Sequence, residues 1–287
     1  MFNYCLYRLA QAISLTLPLK AAYALAVFLS DIYHAIAFRD RRAVTGNLEA
    51  IFPQKNAQEI SGICKKLFNN FAKYLVDFFR FERIDADYLK KNIRLKNLNY
   101  IDESLTRGSG ALLVTAHLGN WELGGVVISM LGYPFLTVAL PHKTKMVDTF
   151  FNSQRQSKGM RVLPLGSAAK GCLKGLKGNE VLALVGDREF AGKGVMLDFF
   201  GKPASFPAGP AALALQAKTR IIPGFMLRNA DDSFDLVMDK PLEYTPCGNY
   251  EKDLKELTIA YKSVFEDYIR RYPEQWYMFR RFWKGVE

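Results

Sequence analysis

The chain is poor in the residues that build disulfide frameworks and metal centres. Four cysteines, Cys5, Cys64, Cys172 and Cys247, are scattered over 287 residues, with no CxxC spacing and no histidine at ligand spacing. That excludes a disulfide-stapled fold and a structural zinc site, fits a reducing compartment, and leaves each cysteine as a small buried hydrophobe. Histidine is scarcer still: only His34, His117 and His142. No internal repeat is visible, and no uninterrupted apolar run reaches the ~20 residues that a bilayer span requires, so a multi-span membrane protein is excluded. Helix-turn-helix, zinc-finger and RNA-recognition patterns are missing, which removes nucleic acid as the expected partner. A GxSxG nucleophile elbow is missing too, so no serine is presented in the manner of an α/β-hydrolase.

What is plentiful is positive charge. Lys+Arg number 39 against 28 Asp+Glu, a net charge of +11, with an ordinary hydrophobic fraction of 49%. Such an excess points to an anionic partner. Arg39, Arg41 and Arg42 follow an apolar segment, and Arg280, Arg281 and Lys284 alternate with Phe279, Phe282 and Trp283. Rings beside cations suit a headgroup layer, which makes an anionic membrane surface the favoured partner. Residues 21–38 are largely apolar but carry Asp31 and His34. They read as an interfacial anchor or a tilted single span. On this basis residues 1–55 form a membrane-associating helical region and residues 56–287 the main domain.

The first third reads helical. Residues 1–38 are followed by a break at Pro53 and a second helix over 57–81, where Ile60, Cys64, Leu67, Phe71, Tyr74 and Phe78 recur at helical spacing. From residue 110 the rhythm changes. Short apolar runs at 111–116, 135–139, 181–185 and 221–227 alternate with helical patterns at 121–131, 167–176, 210–217 and 250–271. Continuous apolar strands alternating with helices predict an α/β fold, a mostly parallel central sheet flanked by helices.

Three clusters carry chemistry. The first is Val114-Thr-Ala-His117-Leu-Gly-Asn120-Trp121-Glu122, a histidine just past a strand end with a carboxylate in the first turn of the next helix. In open α/β sheets ligands gather at the carboxyl ends of strands. Glu122 is placed to accept a hydrogen bond from one imidazole nitrogen, leaving the other to take a proton from an incoming hydroxyl. As a bare pattern, His-x4-Glu serves a capping histidine beside a solvated glutamate equally well. The second cluster, Leu184-Val-Gly-Asp187-Arg188-Glu-Phe190, also ends an apolar run; Arg188 suits a phosphate, an oxyanion or a local salt bridge. The third runs from Asp198 to Pro210, where Gly209 and Pro210 open a helix whose N-terminus suits an anion or simply ends a loop.

Taken in order, these blocks resemble the bacterial late lipid A acyltransferases, a branch of the lysophospholipid acyltransferase superfamily. The likeness spans nearly the whole chain: Arg41-Arg42…Asn47-Leu48…Phe52-Pro53, the His117-x4-Glu122 box, Asp187-Arg188, the Phe199-Phe200-Gly201…Pro207…Gly209 stretch, and Gln275-Trp276…Phe279…Trp283. It implies an enzyme on the cytoplasmic face of the inner membrane. The enzyme would move an acyl chain from acyl carrier protein or a CoA thioester to a lipid hydroxyl, most readily of a lipid A precursor. It further implies His117 as general base, Glu122 as its orienting acid, and Arg188 as a catalytic cation with Asp187 beside it. Asn120, Trp121 and Gly209 would touch substrate, and neither metal nor cofactor would be needed beyond the thioester co-substrate. A thioester or ester hydrolase using the same base is the alternative enzyme, and a non-catalytic membrane-docking protein the alternative from another class.

Overall fold

The computed structural model describes residues 1–189, 192 and 194–283; Phe190 and Lys284 of the clusters above lie outside them. The helical start is broken at Pro18 into α1 (Phe2–Thr16) and α2 (Leu19–Ile36), since proline supplies no amide to continue the ladder. α3 (Phe38–Ile51) follows, then α4 (Ala57–Phe79). α4 opens on a capping box in which Asn56 Oδ1 accepts from the Glu59 amide and the Glu59 carboxylate accepts from the Asn56 amide, both at 3.0 Å.

The α/β region is of the class that the sequence predicts, with further elements between the expected ones. It comprises α5 (Ala86–Asn92), β1 (Ile93–Lys96), α6 (Asn99–Thr106), β2 (Ala111–Thr115), α7 (Trp121–Met130), β3 (Phe135–Ala139), α8 (Lys145–Gln156), β4 (Arg161–Pro164), α9 (Ala168–Lys177) and β5 (Val181–Val185). A hairpin follows, β6 (Val195–Phe199) with β7 (Lys202–Phe206), then α10 (Gly209–Ala217), β8 (Ile221–Arg228), β9 (Phe234–Met238) and α11 (Tyr250–Arg271). Seven strands among the described residues form one sheet in the order β1-β9-β8-β2-β5-β3-β4. Five of them, β8, β2, β5, β3 and β4, run parallel, and the β9–β1 edge runs opposite to β8.

Side chains of the central strands alternate between two cores. Leu112 and Val114 of β2 face one shared with α4, α9, α10 and α11, while Ala111 and Leu113 face the other, shared with α7 and α8. All eight residues of β8 are buried, which is why that segment reads as a continuous apolar run. Of the cysteines, Cys64 and Cys172 are buried as expected, but Cys5 and Cys247 are exposed.

The chain end returns to the sheet centre. After α11, residues 273–278 cross the carboxyl end of the sheet, and Leu118 pairs with Trp276 in an isolated antiparallel bridge. Asn47 of α3 fastens the segment beyond, donating from Nδ2 to Met278 O (3.1 Å) and Arg280 O (2.8 Å) while Oδ1 accepts from the Phe282 amide (2.9 Å). Two blocks more than 230 residues apart in sequence thus meet in one latch.

Candidate functional site

β2 and β5 are parallel neighbours with Thr115 opposite Val185. Counting two residues past each strand end brings His117 and Asp187 side by side at the carboxyl edge of the sheet. The His117 amide donates to Asp187 Oδ2 at 3.0 Å, and His117 Nδ1 lies 2.5 Å from Asp187 Oδ1. A carboxylate can only accept, so Nδ1 carries the proton and Nε2 is left as the basic nitrogen. Trp276 Nε1 adds a third donor to Asp187 Oδ2 at 3.0 Å.

Exposure divides the pair. The Asp187 side chain has none, whereas the His117 ring keeps 16%, so a substrate can reach the imidazole but not the acid. Burial alone would raise the Asp187 carboxyl. The charge and hydrogen bond of His117, with help from Arg188 and Trp276, instead hold it well below the ordinary carboxylate range. Asp187 therefore stays ionised and fixes the imidazole tautomer.

This corrects the partner expected from sequence. Glu122 does not orient His117: both its oxygens are taken by Arg155 of α8, Nε to Oε2 at 2.9 Å and Nη2 to Oε1 at 2.6 Å, in a buried two-pronged pair. Glu122 sits on the first turn of α7 and faces α8, whereas the strand neighbouring His117 brings Asp187. The Asp187 side chain, expected beside substrate, is unexposed and bonded to the histidine. Asn120, expected in the substrate pocket, is likewise engaged within the protein. Its Oδ1 caps α7 by accepting from the Leu123 amide (3.1 Å), its Nδ2 donates to Asp77 Oδ2 (2.8 Å), and only 2% of it is exposed.

Trp121 lies beside the His117 ring. Its indole meets the His117 imidazole edge-on with centroids 5.0 Å apart and stacks on Tyr74 at 4.8 Å. Arg188 is half-buried; Nη2 donates to Tyr277 O at 2.6 Å while its buried Nε–H has no partner among the described residues. Burial, reinforced by the nearby Arg280 charge, pulls the guanidinium below its ordinary value. Gly209 opens α10, and no hydrogen bond among the described residues ties it to the His117 cluster.

The loop carrying His117 is held on both sides. Gly119 N donates to Gln275 O (2.9 Å), Tyr277 N to His117 O (2.9 Å), and Asn120 N to Met226 O (2.7 Å). Gly119 has φ of 64°, and a Cβ there would lie 2.1 Å from Met226 O, so only glycine fits. Behind the loop lies a buried network missed in the sequence. Asp77 of α4 accepts from Tyr23 OH of α2, Arg228 Nη2 of β8 and Asn120 Nδ2, and Gln275 exchanges two hydrogen bonds of 2.9 Å with the Arg228 backbone. The available signal was a lone acid inside the apolar run Leu75-Val-Asp77-Phe-Phe79, which a buried helix tolerates only when the charge is paired. Arg155 had no comparable signal.

With this geometry in place, the comparisons with known proteins are direct. The family described as bacterial lipid A biosynthesis acyltransferase matches residues 2–285. A phosphatidylinositol mannoside acyltransferase of Mycolicibacterium smegmatis is 27% identical over 241 residues, covering 83% of this chain and 77% of its own. A lipid A biosynthesis acyltransferase of Haemophilus influenzae is 23% identical over 241 residues, covering 84% and 74%. A lipid A biosynthesis palmitoleoyltransferase of Escherichia coli is 23% identical over 240 residues, covering 82% and 76%.

Proposed function

Since the chain belongs to the bacterial lipid A biosynthesis acyltransferase family, we propose that it transfers a fatty acyl chain from acyl carrier protein or CoA to a sugar hydroxyl of a membrane glycolipid, a lipid A precursor first. The observation that carries this reading is the His117–Asp187 pair, an accessible imidazole whose Nδ1–H is locked by a sealed carboxylate. His117 Nε2 takes the proton of the acceptor hydroxyl as its oxygen attacks the thioester carbonyl. The oxyanion that develops is stabilised by the positive charge of the neighbouring Arg188 guanidinium. Collapse expels the thiolate, which takes the proton back from the imidazolium, leaving an ester and a free thiol. No Ser, Thr or Cys among the described residues is hydrogen-bonded to His117, which favours direct attack by the acceptor over an acyl-enzyme.

The enzyme would work on the cytoplasmic face of the inner membrane, with α1 and α2 against the bilayer. α2 is long and apolar enough to cross one by length and composition, with a mean hydropathy of 1.2. A mannosylated phosphoinositide is the second acceptor to consider, because the mycobacterial relative is the more similar at 27% against 23%.

The test is acyl transfer by membranes containing the protein, given labelled acyl carrier protein thioester and either a tetra-acylated lipid A precursor or a phosphatidylinositol mannoside. His117→Ala runs beside the wild type. Acylated glycolipid from the wild type alone supports the reading and identifies the acceptor. Thioester loss without lipid product from either acceptor would make the protein a hydrolase, and activity surviving His117→Ala would remove the proposed base.

A further inference from the structure

Away from His117, α2 and the first half of α4 flank an open cleft of about 550 Å³, lined by His34 of α2 and by Gln58, Ser61, Lys65, Lys66 and Asn69 of α4. Its polar groups are oddly provisioned. Lys65 has an acidic partner in Asp31 at 3.4 Å, but Lys66 has none among the described residues. Arg41 of α3 adds a further cation at the same end of α2, donating to His34 O at 2.6 Å and Ala35 O at 3.1 Å. Asn69 also lines the cleft, and its Oδ1 is buried without a partner among the described residues. The cleft therefore offers cations for an anion and the Asn69 side chain beside them for a hydroxyl, the complement of a phosphate that carries a hydroxylated substituent. Burial lowers His34 from its ordinary value, and the Arg41 and Lys65 charges lower it further, the response of an imidazole in a positive field.

The surface beside the cleft is apolar and open to water. On α2, Phe28, Leu29, Ile32 and Ile36 are exposed at helical spacing, with Phe38 beyond. On α1, Phe2, Leu6, Leu9 and Ile13 form a second exposed stripe. Stripes of this size beside basic residues suit a bilayer interface. The opposite side of α2 is committed to protein: Ala22, Tyr23 and Ser30 are buried, and Tyr23 OH is bonded to Asp77. A helix docked along one side in this manner is not free to be encircled by lipid.

We propose that the α2–α4 cleft binds the headgroup of an anionic, hydroxyl-bearing bilayer phospholipid, its phosphate between Lys65, Lys66 and His34 and a hydroxyl against the Asn69 side chain. α2 then lies flat in the interface with Phe28, Ile32 and Ile36 among the acyl chains. The proposal rests on the membrane association inferred above and adds to it a specific site. Docked this way, the cleft sets the distance of His117 from the bilayer. A row of ring contacts runs from His34 to Phe68 (4.9 Å), Phe279 (5.0 Å), Phe71 (4.8 Å), Tyr74 (5.5 Å), Trp121 (4.8 Å) and His117 (5.0 Å).

The test is flotation of the full-length protein with vesicles of phosphatidylcholine alone or of phosphatidylcholine and phosphatidylglycerol in equal parts. Three variants run beside it: Lys65→Gln/Lys66→Gln, Asn69→Ala, and Lys174→Gln/Lys177→Gln, which removes the same charge from the last turn of α9. Thermal unfolding confirms that each is folded. Strong preference for the phosphatidylglycerol vesicles is expected. The cleft double variant should lose about 30-fold in partitioning, Asn69→Ala about fivefold, and the α9 control about threefold at most. Equal losses in the two double variants would reduce the effect to a diffuse positive field and overturn the site. Release by inorganic phosphate, beyond that of sodium chloride at matched ionic strength, would make it a site for free anions and overturn the lipid assignment. Equal flotation with both vesicles would sink the cleft alone, whereas flotation with neither would also sink the membrane association it rests on.

Discussion

Asp187 illustrates how a buried charge is tolerated. Three N–H donors converge on its two oxygens, from the His117 backbone, the His117 ring and the Trp276 indole. Replacing it by asparagine keeps the shape but removes the obligate acceptor, so the imidazole loses its enforced tautomer. The expected outcome is a kcat lower by about 10³–10⁴-fold with KM little changed, read in the acyl-transfer assay. The same carboxyl gives a pH signature. Its folded value lies below the unfolded value of about 3.9, so its contribution to stability is complete above that value and is lost as pH falls through the folded one. Urea midpoints of the wild type should therefore fall more steeply below about pH 4 than those of Asp187→Asn.

Glu122 and Arg155 pose a different question at the same scale. Removing only the acid, as in Glu122→Leu, strands a guanidinium that is 11% exposed, at a cost of about 3–5 kcal/mol in the urea-unfolding free energy. Glu122→Leu/Arg155→Met should recover most of that, because an apolar pair of similar volume needs no desolvation. Activity in the double variant separates the roles. Recovered folding with recovered turnover means the ion pair only packs α7 on α8; recovered folding without turnover means the charges take part in the reaction.

At the scale of elements, Asp77 joins α2, α4, β8 and the cap of α7. Tyr23→Phe removes one of those bonds and should cost about 1–2 kcal/mol. The loss should be local. Amide exchange is expected to quicken in α2 while the central strands keep their protection. These elements also show what the sequence could reveal. β2, β3 and β5 are legible because strands buried on both faces leave unbroken apolar runs. β1 and β4 were not, because Arg94, Lys96, Arg161 and Pro164 interrupt short edge strands, and β9 hides behind an alternating Phe-Asp-Leu-Val-Met pattern. Both members of the His117–Asp187 pair were read as functional. Their pairing was not, since it depends on β5 inserting beside β2 out of sequence order, and nearness along the chain favoured Glu122 instead. Asp77 and Arg228 lie 151 residues apart, and nothing in either segment names the other.

For the molecule as a whole, the net charge of +11 and the exposed stripes of α1 and α2 act over different ranges. The screening length falls from about 30 Å at 0.01 M salt to about 3 Å at 1 M, so the charged attraction is the part that salt removes. Binding to anionic vesicles should weaken as salt rises and then level off at a residual set by the apolar contacts. Substituting Phe28 and Ile32 by serine should abolish that residual in a flotation assay at high salt. The return of residues 275–277 across the sheet has a consequence in time. The His117 loop takes Gln275 O, Tyr277 N and, through Asp187, the Trp276 indole from that segment. Synthesis runs at about 5–20 residues per second from the N-terminus, so the central strands emerge well before it. A nascent chain still holding these residues inside the ribosome has its central strands but not the backbone and indole partners that fix the His117 loop.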